Sequence, residues 1–222
     1  MELQCCLNGR RARTGGVPHS AAEFGWDGRD CQDAGATSAH IHPRDRGRDS
    51  ISATSIARTV NAVRSAAPGL PVGVTTGEWI GPAAERIAAI ESWTVLPDFA
   101  SVNWSEEGAA DLARALLARG VGVEAGLGSL EDARAWVADG IATLRVLIEV
   151  RSPLEADGIR SVIGDVPALV HGYDESAWPM LRYAIEFGLD GRIGFEDTLL
   201  LPDGTPAASN AELVGAALRA QS

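Results

Sequence analysis

The sequence predicts an α/β fold, a (β/α)8 TIM barrel, and three observations support this prediction. Short apolar segments alternate with amphipathic stretches along the whole chain. Eight such strand–helix units follow one another at roughly even spacing, and a right-handed βαβ chain of eight closes naturally into a barrel. No linker, low-complexity tract or charge block divides residues 1–222. We therefore expect a single barrel domain with short loops, and an open doubly wound sheet is the structural alternative.

The predicted strands are short and apolar, as expected for strands that are buried on both faces. They are Glu2–Leu7, Thr37–His42, Pro71–Thr75, Phe99–Asn103, Gly120–Ala125, Thr143–Glu149, Ala168–His171 and Arg192–Phe195. Helical spacing marks stretches between them, among which are Ser20–Ala34, Ser52–Ala66, Glu106–Ala118, Leu130–Ala138 and Glu175–Phe187. Glycines stand where helix C-caps are expected. They are Gly35, Gly120, Gly140 and Gly188.

The composition argues against several classes of function. A formal charge of −11 makes nucleic acid and anionic membranes poor partners. There is no apolar run of membrane-spanning length and no basic start of a signal peptide, so we expect a cytoplasmic protein. All 19 basic residues are arginine, and a chain without lysine forms no Schiff base with a substrate or with pyridoxal phosphate. Cys5, Cys6 and Cys31 lack metal-type spacing, and we expect them to be reduced and structural.

Polar residues end nearly every predicted strand, and the C-terminal strand ends are where barrels of this kind build their sites. These residues are Asn8, His40, His42, Thr75, Thr76, Gly77, Ser101, Asn103, Glu124, Glu149, His171, Arg192, Glu196 and Asp197. Packing alone does not explain such a concentration at one end. We expect Asn8, Ser101 and Asn103 to contact a substrate.

The pair His40 and His42 predicts a metal site. Residues two apart on a strand point to the same face, so both imidazoles can reach one ion. Histidines together with a carboxylate are common ligands of catalytic zinc, and Glu196 can supply that carboxylate. The alternative is two histidines that are hydrogen-bonded in the barrel mouth.

The segment Arg192–Asp197 is the second chemical signal. With Glu196 on the metal, Arg192 would hold a substrate carboxylate or orient Asp197. Asp197, where the strand leaves the barrel, is a candidate general base. The alternative is an ion pair that closes the barrel.

Other strand ends are more ambiguous. Hydroxyls and free amides at Thr75, Thr76 and Gly77 suit an oxyanion, although an ordinary turn explains them equally well. Glu124 and Glu149 can bind substrate or form a salt bridge with an arginine inside the barrel. His171 can be a fourth ligand, a substrate contact or a core histidine, and His19 lies in the loop after the first strand.

These motifs resemble the β-keto acid cleavage enzymes along nearly the whole chain. The resemblance rests on Leu7–Gly9, on the run Ala34–Ala36 and Ala39–Asp45, on Thr75–Gly77, on Arg192–Asp197 and on Asp203–Asn210. The blocks His-x-His-x-Arg-Asp and Arg-x-Gly-x-Glu-Asp, in this order, are specific.

The resemblance implies a zinc-dependent barrel, usually a homo-oligomer, that exchanges the acyl part of a β-keto acid with acetyl-CoA. It assigns zinc, or another divalent metal, to His40, His42 and Glu196. Asp197 would be the base, oriented by Arg192 and by a hydroxyl of Thr75 or Thr76. Glu124 would contact the far end of the substrate.

Two other functions compete with this one. A different metal-dependent barrel enzyme, either a hydrolase or a class II-type aldolase, could use the same ligands. An amidohydrolase-type enzyme would place its His-x-His pair on the first strand, whereas here the pair is on the second. A non-enzymatic barrel that binds a metabolite or stores metal would have no need of a base such as Asp197.

Overall fold

The computed structural model describes residues 1–11 and 16–221, and within them eight parallel strands close into a barrel. The strands are β1 (Leu3–Cys6), β2 (Ser38–Ile41), β3 (Val72–Thr75), β4 (Phe99–Asn103), β5 (Gly122–Leu127), β6 (Arg145–Glu149), β7 (Ala168–His171) and β8 (Asp190–Ile193). Each strand pairs with its sequence neighbours, and β8 pairs with β1 to close the ring. The predicted (β/α)8 fold is confirmed.

Helices form the outer layer of the barrel. They are α1 (Ala21–Asp33), α2 (Ala53–Ala66), α3 (Ala83–Glu91), α4 (Ala109–Ala118), α5 (Leu130–Asp139), α6 (Pro153–Ile163), α7 (Ala177–Glu186) and α8 (Asn210–Arg219). Among the described residues, no helix is long and apolar enough to cross a membrane.

Local sequence explains where the helices begin and end. Five of them start at a serine whose side chain accepts a hydrogen bond from the backbone three residues on, which satisfies a free amide of the first turn. These serines are Ser20, Ser52, Ser129, Ser152 and Ser209. The four predicted C-cap glycines all have positive φ. Glycine adopts this left-handed conformation without the steric strain of a Cβ atom, and the conformation ends a helix.

Two strands begin and end at other residues than predicted, and this changes where the polar residues of these strands lie. The strand predicted at Gly120–Ala125 begins at Gly122 and continues to Leu127. The strand predicted at Arg192–Phe195 is β8, which begins at Asp190 and ends at Ile193. Glu196 and Asp197 therefore lie in a turn and not on a regular strand. Hydrogen bonds from the backbone amides of Asp197 and Thr198 to the Gly194 carbonyl, each 2.9 Å, close this turn.

A charged layer fills the N-terminal end of the barrel interior. The fully buried Glu124 of β5 accepts hydrogen bonds from Arg145 of β6 (Nε, 2.8 Å) and Gln4 of β1 (Nε2, 2.9 Å). Arg145 also lies 3.5 Å from the carboxylates of Glu2 and Asp190. These contacts join strands on opposite sides of the ring, so the layer helps to hold the barrel closed.

Candidate active site

A cavity of about 570 Å3 opens at the C-terminal ends of the strands, and we refer to it as the main cavity. It is lined by Arg10, Arg11, His40, His42, Thr75, Trp79, Ser101, Asn103, Leu147, Glu149, His171, Tyr173, Asp174, Arg192, Glu196 and Asp197. Its position agrees with the rule that barrels place their sites at this end.

His40, His42 and Glu196 come together in this cavity as a group that can hold a metal ion. Their ligand atoms all lie within 4.8 Å of one another. The Nε2 atoms of His40 and His42 lie 3.8 and 3.4 Å from the two Glu196 carboxylate oxygens. Among the described residues, the buried Oε2 of Glu196 has no hydrogen-bond partner. An unpaired carboxylate oxygen beside two imidazoles fits a divalent cation.

The surroundings of the two histidines suit metal binding in different ways. Burial lowers the pKa of His40 to about 3, so its imidazole is neutral and keeps a free lone pair. Although burial opposes the change, the carboxylates of Glu196 and Asp49 raise the pKa of His42. The His42 Nδ1 lies 2.9 Å from Asp49 Oδ2, which leaves Nε2 facing Glu196. Such a carboxylate–histidine pair orients a ligand and increases its basicity.

Two glycines make room for the turn that carries Glu196. A Cβ atom on Gly9, whose φ is +52°, would lie 2.3 Å from the Glu196 Cγ. A Cβ atom on Gly194 would lie 2.1 Å from the Cys6 carbonyl oxygen, because the turn rests directly against β1. Both positions exclude a side chain for steric reasons, and Gly9 also has a backbone conformation that favours glycine.

Both carboxylate oxygens of Asp197 are held by hydrogen bonds. Its Oδ1 accepts hydrogen bonds from Arg192 (Nη2, 3.1 Å, and Nε, 3.3 Å), and its Oδ2 accepts one from the Cys6 thiol at 2.6 Å. Burial opposes ionisation, but Arg192 and His171 together hold the pKa of Asp197 below its usual value. Asp197 is thus a charged, oriented carboxylate next to the three candidate ligands.

His171 lies between two acids. Its Nδ1 is 3.2 Å from Asp197 Oδ1, and its Nε2 is 3.4 Å from Glu149 Oε2. Burial and Arg192 lower its pKa, but Asp197 and Glu149 outweigh them and raise it to about 9. The imidazole is therefore protonated at neutral pH and balances negative charge within the site.

Thr75, Ser101 and Asn103 line the main cavity as predicted, but three other predicted contacts do not. Asn8 is fully buried and exchanges hydrogen bonds of 2.9 and 3.0 Å with the backbone of His42, so it positions a candidate ligand. The Thr76 hydroxyl donates to the Ser101 carbonyl at 2.7 Å. Gly77 leaves space for the Trp79 indole, which lies 2.1 Å from the place of a Cβ atom.

Glu124 does not line the main cavity either, and the structure favours the alternative of a salt bridge inside the barrel. Its carboxylate is fully buried against Arg145 at the opposite end of the barrel. Glu149, the other ambiguous acid, does line the cavity. His19 lies outside it, with its Nδ1 3.0 Å from the Val17 carbonyl oxygen.

Asp49, Cys6 and Trp79 contribute to the site without having been predicted from the sequence. Asp49 belongs to a small hairpin formed by Arg44–Asp45 and Arg48–Asp49, which folds back over β2. All three cysteines are free thiols, but Cys6 points inward to Asp197 whereas Cys5 points outward to Cys31. The period-two alternation of the first strand is the signal that separates these two cysteines.

Known proteins are similar to this chain in sequence and in fold. A curated relative, the 3-keto-5-aminohexanoate cleavage enzyme of Acetoanaerobium sticklandii, is 24% identical over 91% of this chain and 84% of its own. Among solved structures, ObcA in complex with oxaloacetate has a TM-score of 0.70 at 15% identity. The match covers 91% of this chain but only 63% of the ObcA chain, so this chain spans less than two thirds of that protein.

A second solved structure shows the same architecture in a protein of more similar length. The N-acetylmannosamine-6-phosphate 2-epimerase of Clostridium perfringens has a TM-score of 0.62 at 14% identity, over 89% of this chain and 87% of its own. At such identities these two structures support the barrel fold and nothing finer. The family match is more informative, because it extends over residues 2–150 and 154–221. The chain belongs to the beta-keto acid cleavage enzyme family.

Proposed function

We propose that this enzyme cleaves a β-keto acid with acetyl-CoA as co-substrate, giving acetoacetate and a new acyl-CoA, and that it depends on zinc or another divalent metal. The observation that carries the proposal is the convergence of His40, His42 and Glu196 directly beside the charged Asp197. Family membership supports the cleavage of a β-keto acid.

The donor set supports a catalytic metal. Two imidazoles and one carboxylate, with positions left open, match the ligand type of catalytic zinc sites. When bound, the ion would polarise the substrate ketone and stabilise negative charge on its oxygen. A chain without lysine has no side-chain amine for a Schiff base, so the ketone would be activated by such an ion or by hydrogen-bond donors.

Asp197 is the proposed general base. The hydrogens on C2 of a β-keto acid are acidic because they lie between the ketone and the carboxylate, and Asp197 would remove one of them. Arg192 and Cys6 hold both carboxylate oxygens and so fix the orientation of Asp197. Thr75, a residue of the cavity wall, is the better candidate for the proposed hydroxyl role, because the Thr76 hydroxyl donates to the Ser101 carbonyl.

The exchange balances without an oxidant or a reductant. The bond between C2 and C3 of the β-keto acid breaks, and C2 with its carboxylate joins the acetyl group to form acetoacetate. The CoA sulfur leaves the acetyl group and joins C3, giving the acyl-CoA. Ser101 and Asn103 stand in the cavity wall as contacts for these oxygen-rich substrates.

The resemblance to the family also supports a homo-oligomer built from one barrel domain per chain. Sedimentation velocity would measure the assembly, and limited proteolysis would test whether residues 1–222 resist cleavage as one unit.

The experiment that tests the proposal compares zinc-loaded wild type, His40→Ala and Asp197→Asn. We expect acetoacetate release from a panel of β-keto acids only when zinc and acetyl-CoA are both present. His40→Ala removes a candidate ligand and should lose bound zinc and turnover together. Asp197→Asn should retain zinc and lower kcat at least about 100-fold, since general-base catalysis contributes about that much.

His19→Ala is the matched control, because His19 lies outside the main cavity and should be dispensable for both zinc and turnover. Stoichiometric zinc in His40→Ala would show that the ligand assignment is wrong. Turnover that needs metal but proceeds without acetyl-CoA would favour the aldolase or hydrolase alternative at the same site.

A further inference from the structure

Arg10 is an exposed arginine at the rim of the main cavity, directly after Gly9. Its guanidinium carbon lies 4.9 Å from the centroid of the Trp79 ring, a cation–π distance. Within residues 1–11 and 16–221, no carboxylate forms an ion pair with it. The rim therefore presents a positive charge that no carboxylate in the described part of the chain neutralises.

Trp79 is a rigid platform for this charge. Its indole Nε1 donates a hydrogen bond to Asp49 Oδ2 at 2.8 Å. Its ring stacks on His42 with a centroid separation of 5.7 Å and an interplanar angle of 13°. Because the Trp79 ring contacts both the His42 imidazole and the Arg10 guanidinium, it connects Arg10 with the candidate ligand at the reacting end of the substrate.

The other arginines that line the cavity are already engaged. Arg11 pairs with Asp174 at 2.8 Å, and Arg192 contacts both Glu196 (2.7 Å) and Asp197 (3.1 Å). The chain as a whole carries a charge of −11, which repels anions over most of its surface. Arg10, without an ion-pair partner among the described residues, gives an anionic substrate a local attraction at the cavity mouth.

A side groove of about 930 Å3 adjoins the main cavity, and Arg10 and Trp79 stand at the boundary of the two. Beyond this boundary the groove is lined by the exposed acids Glu78, Glu107 and Asp111. The negative charges of these acids would repel the phosphates of a CoA molecule in the side groove. An anion that binds to Arg10 should therefore lie in the main cavity.

We propose that the β-keto acid cleaved by this enzyme is a dicarboxylate, a 3-oxo-dicarboxylate whose distal carboxylate binds to Arg10. This inference rests on the proposed function. The distal carboxylate takes no part in the bond exchange and leaves on the acyl-CoA product. A guanidinium is suited to it because its planar donors match a carboxylate in two parallel hydrogen bonds.

Binding without turnover is the first test. Calorimetry compares the unreactive acids hexanedioate and hexanoate, which differ in one terminal carboxylate, on zinc-loaded wild type, Arg10→Gln and Arg151→Gln. Arg151 is the matched control, since it is exposed and stacks on Tyr173 at 4.1 Å but does not line the cavity. We expect wild type and Arg151→Gln to bind hexanedioate about 10- to 100-fold more tightly than hexanoate. Arg10→Gln should lose this preference, and a preference that it retains would overturn the proposal.

Turnover of 3-oxohexanedioate and 3-oxohexanoate is the second test. We expect Arg10→Gln to raise KM for the dicarboxylate about 10-fold or more and to lower the ratio of the two kcat/KM values, dicarboxylate over monocarboxylate, by a similar factor. A rise in KM for acetyl-CoA, with the ratio between the two acids unchanged, would show that Arg10 binds a CoA phosphate and would overturn the proposal. If neither acid reacts but Arg10 still sets the hexanedioate preference, the proposed function fails and the anion site stands.

Discussion

At the residue scale, His40 and His42 are two positions apart but depend on different neighbours. His40 is a fully enclosed imidazole whose Nδ1 is among the buried polar atoms without a hydrogen-bond partner in the described chain. His42 is tied to Asp49 and stacked on Trp79. The position of His42 is therefore set by a hairpin that follows its strand, and changes in that hairpin should affect the proposed metal site.

The first prediction concerns Asp49. Asp49→Asn replaces the carboxylate that orients His42 and increases its basicity, so zinc affinity should fall roughly 10- to 100-fold. Competition with a chromogenic chelator would measure this. Asp45→Asn is the control, because Asp45 lies in the same hairpin but is exposed and pairs with Arg58 at 3.5 Å. Equal zinc affinity in the two variants would contradict the role given to Asp49.

The thiol of Cys6 also takes its role from a neighbouring residue, in this case Asp197. Cys6 and Asp197 are 191 residues apart, and their 2.6 Å hydrogen bond exists because β1 and β8 are neighbours in the closed ring. Burial raises the pKa of Cys6 well above its usual value, with Asp197 and Glu196 adding to the effect against Arg192. The thiol therefore stays protonated and serves as a donor to the proposed base.

At the element scale, the start of α8 links α1, β1 and the turn after β8. Asn210 donates to the Leu7 carbonyl (2.8 Å) and to Asp27 Oδ2 (2.6 Å), and its Oδ1 accepts from the Phe195 amide (2.6 Å). Burial of Asp27 on α1 raises its pKa to about 7, against the lowering effect of the Asn210 hydrogen bond. This junction supports the turn that carries Glu196 and Asp197.

The second prediction follows from the raised pKa of Asp27. An acid with a raised pKa binds its proton more tightly in the folded state, so the free energy of unfolding should fall as pH rises from about 4 to 7. Asp27→Asn puts an uncharged side chain at this position, so the variant should not show this fall in the free energy of unfolding. The variant should match wild type near pH 4 and exceed its stability near pH 8 by roughly 1–2 kcal/mol, which allows for solvent screening of a half-buried group.

Urea unfolding at the two pH values would measure the difference. Asp33→Asn serves as the control, because Asp33 is on the same helix but exposed. An Asp27→Asn variant that is less stable than wild type by the same amount at both pH values would contradict a raised pKa of Asp27 in the folded protein.

At the scale of the whole molecule, the barrel interior is polar at both ends, and the two ends have different roles. One end forms the cavity and the other connects strands across the ring. The C-terminal end holds the main cavity, and the N-terminal end holds the layer formed by Gln4, Glu124 and Arg145. Because the N-terminal layer connects β1, β5 and β6, its loss would weaken the closure of the ring without reaching the reacting atoms.

The third prediction is that a change in the N-terminal layer affects stability but not activity. Glu124→Gln leaves the buried Arg145 with only its two 3.5 Å contacts to carboxylates, so the free energy of unfolding should fall by about 3 kcal/mol. KM and kcat of the folded protein should not change. Denaturant titration and steady-state kinetics would be measured side by side with Glu186→Gln, an exposed control on α7. A changed KM with unchanged stability would restore Glu124 as a substrate contact.

The sequence by itself determined the barrel and the central pair of histidines. The alternation of buried strands and capped helices depends on residues close together in the chain, and so does the period of two that puts His40 and His42 on one face. The place of these residues at the C-terminal strand ends of a barrel then predicted that Glu196 and Asp197 lie near the histidines, and the structure brings them together.

Only the tertiary structure decided which polar residues reach the cavity. Glu124 and Glu149 both stand on apolar strands in the sequence, but β5 continues to Leu127, which leaves Glu124 near the N-terminal end of the barrel. Glu149 is the last residue of β6 and lies at the cavity. The contacts of Cys6 with Asp197 and of Arg10 with Trp79 join residues that are distant in the chain. Asp49 reaches His42 only because the hairpin after β2 turns back toward that strand. The depth of a residue in a barrel depends on strand stagger and tilt, which arise from pairing around the entire ring and leave no local pattern.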